Sequence, residues 1–469
     1  MAARDRSTLW LDDRGGLITR LTGMGDPYAA LGACVWISDS SELDDLALGA
    51  RRQRLTFAAA RYTPARLLDR LSQDADAAIA MRLARNPVSP APVLARILRG
   101  DPPLRLRRHI AAHKRADRAV LTALAADEDI AVRRGVAGNA MTPLPAMVVL
   151  AAEGDPQIMR NMAAAPQTTG DILTRLWTLG DEWVRADIAA HPNCPAYILA
   201  KAGQGADPLI RRKCAANPAL PEAMLLDLLA DPDELVRGAA VRNPLVSDAW
   251  LDDAEDGSVR VRRLFARRTR LPGPLIERLA GDADTWVRRW IARNPDLPFA
   301  RIAQLGHDEE PAIRRGVARN PCCPPDLLIA LAGDADPWVR AGVALRDDLP
   351  DAALTVLLDD TDRDVLGALG RNPRSPAAWL AELARHPDKD VRRAVALNPV
   401  APAHVLALLA DDPYPLNRAM LGRRHDLTPD LAGRMLTDPE PQVRFAAAAR
   451  LARAIAETEP GTNQRRTPP

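Results

Sequence analysis

Three pairs of arginines recur at equal steps along the chain: Arg263 with Arg267, Arg289 with Arg293, and Arg315 with Arg319. Within each pair the two residues are four apart, so on a helix their guanidiniums share one face and repel mildly. A guanidinium is also the side chain best shaped to grip carboxylate or phosphate oxygens with two parallel hydrogen bonds. The chemistry this pattern suits is recognition of an anionic partner, either an acidic peptide or a nucleic acid or other polyanion. Residues 258–320 hold fourteen Arg against seven acids, a local balance of +7, so the excess is regional. The whole chain carries only +2 and gives no general attraction to polyanions. A second basic knot (Arg105, Arg107, Arg108, His109, His113, Lys114, Arg115 and Arg118) has no register from one repeat to the next.

Catalytic chemistry has little to stand on. The seven His fall in no H-E-x-x-H or other metal-ligand spacing, and no G-x-S-x-G occurs. His191, Cys194 and Cys214 are the nearest approach to a thiol site, and a buried Cys serves more often as a small apolar residue. The carboxylates sit in regular turns, which points to helix capping rather than acid–base work. The reading is of a non-enzyme with no cofactor and no metal.

The elements that position the arginines are repeats. WVRRWIARNPDLP begins at Trp286, and related stretches return as IRRKCAANPALP from Ile210, IRRGVARNPCCP from Ile313 and VRRAVALNPVAP from Val391. The Asn column runs Ala60, Asn86, His113, Asn139, Ala165, His191, Asn217, Asn243, Arg268, Asn294, Asn320, Arg346, Asn372, Asn398, Arg423 and Ala448, at steps of 25 to 27. A period held so evenly is the signature of a repeat array. After the second Pro, apolar residues at offsets 3, 4 and 7, such as Val405, Leu406 and Leu409 after Pro402, mark one face of a first helix. Pro suits the start of that helix, where its missing N–H has no partner. An acidic turn follows, as at Asp231-Pro232 or Asp412-Pro413, and reads as N-cap and N1 of a second helix. That helix carries pairs such as Val391 and Val395, and Asn-Pro ends it. Neither helix buries its stripe alone, so neighbours must stack.

The repeated wording resembles the leucine-rich repeat variant family over roughly residues 53–450. The resemblance implies an all-α, right-handed superhelical α-solenoid, HEAT-like, of about fifteen two-helix units of about 26 residues, one helix of each pair being a short 3-10 turn. It implies a fold and no single activity. Some members carry an N-terminal Cys-rich iron–sulfur segment; this chain has only Cys34 there, so the cluster is not carried over.

The domain reading is an N-terminal cap at 1–45, the array at 46–453 and a disordered tail at 454–469. Five Cys without C-x-x-C spacing, and no apolar run long enough to span a bilayer, suit a reducing, cytoplasmic setting.

Most repeat charges have structural expectations. The first Arg after the Val/Ile position, as in Asp284–Arg288 and Asp388–Arg392, has an acid four residues before it; it pairs either there or with the next unit's acidic turn. Asn is expected to bond backbone where the second helix ends. Trp183, Trp286, Trp290 and Trp338 are expected in core or inter-repeat packing, without interleaving with the arginines. The six arginines left over are expected to line the concave face, giving an interaction scaffold for a protein or peptide. The alternative is nucleic-acid or other polyanion binding through the same grid.

Overall fold

The computed structural model describes residues 14–37, 39–252 and 255–458. They form 33 α-helices and one 3-10 turn, Asp248–Leu251, with no strand among the described residues. The chain is an all-α repeat solenoid in which each helix packs on its sequence neighbour and on the like helix of the next repeat. The helices group into two compact units, one at 117–365 and one built from both chain ends, 1–116 with 366–469. No helix is long and apolar enough to cross a membrane among the described residues.

One repeat shows the logic. Pro402 caps the Ala403–Leu409 helix, which buries Val405, Leu406 and Leu409. Burial of each such side chain is worth roughly 1.5–3 kcal/mol. The Lys389–Ala396 helix starts at Asp388, whose carboxylate accepts the Asp390 N–H, and buries Val391 and Val395. Both helices are α in every described repeat except the one holding Asp248–Leu251, so the 3-10 turn that the family resemblance implied is confined to that place.

Two positions move from where the sequence puts them. The second proline of each motif occupies the N-cap rather than the first turn: Pro298, Pro324, Pro350, Pro376 and Pro402 all have ψ between 142° and 159°. Extended backbone there satisfies Pro and still leaves its carbonyl free to accept the first helical bond. The first Asp of an acidic turn is likewise not the cap. Asp231 folds back to accept the Asp233 N–H at 2.9 Å, and Asp233 caps the Glu234–Val241 helix.

The Asn column bonds across repeats rather than to its own helix end alone. Asn320 Nδ2 donates to the carbonyls of Ala292 (2.9 Å) and Asn294 (2.8 Å) one repeat back, while its Oδ1 accepts the Cys322 N–H at 2.8 Å. Asn217, Asn243 and Asn398 repeat this pattern. A carbonyl freed by the end of one helix is thereby satisfied by the next repeat. His191 performs the duty toward Ala165 and Arg346 toward Ala318 and Asn320. So does Arg424, toward Ala396 and Asn398, which corrects the column by one residue from Arg423.

The described N-terminal residues form the Arg14–Met24, Pro27–Cys34 and Ser41–Leu48 helices. The Pro27–Cys34 helix packs on the Pro441–Thr458 helix, whose 18 residues run past the expected boundary at 453. Of the tail read as disordered, residues 459–469 lie outside the described residues.

Candidate anion-binding face

The first arginine of each second helix is committed to structure. Arg314 holds Asp334 with two bonds, Nε to Oδ2 at 2.7 Å and Nη2 to Oδ1 at 2.8 Å. Its Nη1 donates to the carbonyls of Asp308 (2.9 Å) and Glu309 (3.1 Å). Arg211–Asp231, Arg262–Asp282, Arg288–Asp308, Arg340–Asp360 and Arg392–Asp412 copy this geometry, always twenty residues on. Of the two partners the sequence offered, the next unit's turn is the one realised. Asp284, four before Arg288, instead caps its helix through the Val287 N–H. Burial alone would raise the Asp334 carboxyl, but bonds from Arg314 and the Asp336 N–H, with the nearby guanidinium charges, hold it below the usual carboxylate range. Arg418–Asp438 belongs to the set and escapes the sequence pattern because Asn417 stands where Val or Ile is expected. Its signal was the twenty-residue spacing.

The second column behaves differently. Arg263 takes Asp284 in a two-pronged pair at 2.9 and 2.6 Å, as Arg134 takes Asp155. Among the described residues Arg289 and Arg315 have no such partner, although Glu310 and Asp336 stand at the same distance in sequence. Arg267, Arg289, Arg293, Arg315 and Arg319 make no carboxylate contact among the described residues. Burial, with the charges of Arg289 and Arg315, holds Arg293 below the usual guanidinium range. Burial, with Arg315 and Arg293, does the same to Arg319. Four of the six sequence-chosen arginines therefore form one mutually repelling cluster across two adjacent second helices, Thr285–Ile291 and Pro311–Ala318 with its following residue. The Arg315 Nε–H is also buried with no acceptor among the described residues.

Small residues let these helices approach. A Cβ at Gly316 would lie 2.9 Å from the Ala292 Cβ and 3.1 Å from the Arg289 carbonyl. The stem of Arg315 crosses Gly342 in the same way. Arg267 lines, with Arg268 and Arg270, an open cleft of about 580 Å³.

The tryptophans pack between repeats, one of the two places expected of them, but against expectation they interleave with the arginines. Trp286 and Trp338 are 48% and 51% exposed, and both interleave with the arginines. The Arg289 guanidinium lies 4.8 Å from the Trp286 ring centre and that of Arg263 lies 6.0 Å from it. Arg315 lies 4.8 Å from Trp338, and Arg267 lies 4.9 Å from Trp290. Arg160 and Trp183 make the same pair at 5.7 Å. In four of these pairs the ring follows the Arg by 23 residues, one helical turn before the like position in the next repeat. A helical side chain leans toward its own N-terminus and meets a neighbour there. A guanidinium stacked on a ring keeps its N–H edge free, so the stack orders the donor without using it.

The two thiols weighed for catalysis, Cys194 and Cys214, are buried. Burial pushes the Cys194 and Cys214 thiols up to about 12, which leaves them protonated near neutrality. No group of three His, Cys, Asp or Glu placed to hold a metal occurs among the described residues.

No protein-family model and no curated protein matches this chain. Solved structures similar to it include a leucine-rich repeat variant with a novel repetitive protein structural motif, 27% identical, covering 53% of this chain and 88% of that one at a TM-score of 0.29. Another is yeast importin-beta, Kap95p, 12% identical, covering 92% of this chain and 66% of that one at 0.36. The Kap95:Nup1 complex is similar at 12% identity, with 96% and 66% covered and a TM-score of 0.31. At such scores the fold rests on this chain's own helices and hydrogen bonds.

Proposed function

We propose that this protein is a non-catalytic interaction scaffold of the leucine-rich-repeat-variant type, and that an acidic segment of a protein partner lies along the second helices of residues 259–344. The observation that carries the reading is the contrast between two adjacent columns. First-column arginines hold a carboxylate across each step from Arg211 to Arg340, whereas Arg289, Arg293, Arg315 and Arg319 crowd together with none among the described residues. Unpaired like charges lower stability, and an incoming carboxylate or phosphate relieves them. The exposed Trp286 and Trp338 add apolar contact area of the kind that anchors interfaces. The expected concave placement of this face belongs to the same proposal.

Nucleic acid is the second reading, favoured by the interleaving of Arg with Trp. Against it, each interleaved ring already carries a guanidinium, which competes with a base for the stacking face. Affinity capture from the native host at moderate salt separates the two. The intact chain should retain a protein that the Arg289→Glu, Arg315→Glu double variant loses. Recovery of nucleic acid in its place moves the assignment to the second reading. Equal retention by both chains sinks the site.

A further inference from the structure

The last described first-column arginine, Arg444, has its partner at the other end of the sequence. Its Nε donates to Asp26 Oδ2 at 2.9 Å and its Nη2 to Asp26 Oδ1 at 3.1 Å. Its Nη1 meets the carbonyls of Asp438 (2.7 Å) and Pro439 (2.8 Å). This is the bonding of Arg418 to Asp438 one repeat earlier. Twenty residues beyond Arg444 the sequence has Gln464, which offers no carboxylate, so Asp26 supplies the missing acid.

Residues 14–34 also have the order of a repeat. The Arg14–Met24 helix comes first, then the turn with Asp26, then the Pro27–Cys34 helix with Asp26 as N-cap and Pro27 in its first turn. The Asp155-Pro156 and Asp207-Pro208 starts are built alike. Every residue of the Pro27–Cys34 helix except Tyr28 is buried. At Gly32 the helix lies so close to the Pro441–Thr458 helix that a Cβ would fall inside contact distance of the Phe445 carbonyl and 3.1 Å from the Ala449 nitrogen. Phe445 meets the Tyr62 ring at 5.2 Å, and Arg453 lies over Trp36 at 5.3 Å.

We infer that residues 14–34 are an end latch, a repeat docked within the same chain on the face of the Pro441–Thr458 helix where a second copy's residues 14–34 would otherwise dock. A repeat end left open presents an apolar face, and a head-to-tail contact between copies does not close on itself. Tethering in one chain gives the latch a high effective concentration, so the contact within the chain wins.

Two full-length variants test this by complementation. Gly32→Val spoils the latch and leaves its dock intact; Ala449→Trp spoils the dock and leaves the latch intact. In each alone, hydrogen exchange at residues 29–34 should accelerate while the repeats at 210–245 keep their protection, and sedimentation should show single chains. Mixed, they should form a complex of twice the chain mass. Unchanged exchange in both variants, or opened chains that stay single when mixed, overturns the latch. Where either substitution disrupts more than the ends, the charge exchange decides. Asp26→Arg and Arg444→Asp should each speed exchange at 29–34, and combined in one chain they should restore it; failure of the combination to restore protection also overturns the proposal.

Discussion

Asn320 carries two duties at once, and each has a measurable weight. Its amide satisfies two carbonyls of the preceding repeat while its oxygen holds the turn after its own helix. Asn320→Ala should lower unfolding stability by about 2–3 kcal/mol, since buried acceptors are left without donors. Asn320→His should lose less, because His191 shows the ring bonding both ways at such a place. Urea titration of the three chains checks the order. The two arginine columns predict opposite signs. Arg314→Gln breaks a pair with the nearly buried Asp334 and should lower the melting temperature. Arg319→Gln removes one charge from a repelling cluster and should leave it unchanged or raise it. At this scale the sequence was legible where a residue type repeats in place. The pairing of Arg263, one of the six arginines read as left over, with Asp284 was not legible, because it depends on how two helices meet. Exposure of Trp286 and Trp338 was hidden because an apolar residue in a helix reads as core until the opposite face is known.

Between elements, the recurring joint is the Arg to Asp pair twenty residues on; Arg185, which has Gly205 at that distance, bonds the Trp177 carbonyl instead. Where the Arg is absent, at Met159 and Leu366, the acid is absent too, at Leu179 and His386. Arg392 and Asp412 are the most buried of these pairs, with side chains 10% and 0% exposed. Asp412→Ala should cost about 3–5 kcal/mol by stranding a buried guanidinium, while Arg392→Met with Asp412→Leu together should cost less than that single change. A double-mutant cycle in urea measures the difference. Acid gives an independent check. Burial opposes ionisation of Asp360, yet bonds from Arg340 and the Asp362 N–H, with the Arg340 charge, leave its carboxyl below the usual range. A carboxyl depressed in the folded state stabilises it above the unfolded pKa of about 3.9 and loses that contribution as pH falls toward the folded value. Stability should therefore drop as pH falls below the unfolded pKa of about 3.9, and Asp360→Asn should flatten the drop. Helix pairing and helix type were readable from the apolar spacing, and the acidic turn was readable as a turn. The division of labour within that turn was not, because Asp231 and Asp233 differ only in which neighbour each one faces.

For the whole molecule, the repeat array and its all-helical class follow from a period that no single-core fold would keep. That residues 14–34 pack as a further repeat against the Pro441–Thr458 helix could not be read from spacing, since its partner acid lies 418 residues away in sequence. The functional account rests on a smaller claim, that an unpaired arginine cluster is kept for an anionic segment of a protein. Calorimetric titration of a polyglutamate peptide, beside a single-stranded oligonucleotide of equal charge, into the intact chain and the Arg289→Gln, Arg315→Gln chain tests it directly. The account predicts peptide binding that weakens with salt, falls at least tenfold in the double variant and exceeds oligonucleotide binding. Peptide binding equal in both chains, or absent from the intact chain at low salt, would contradict it.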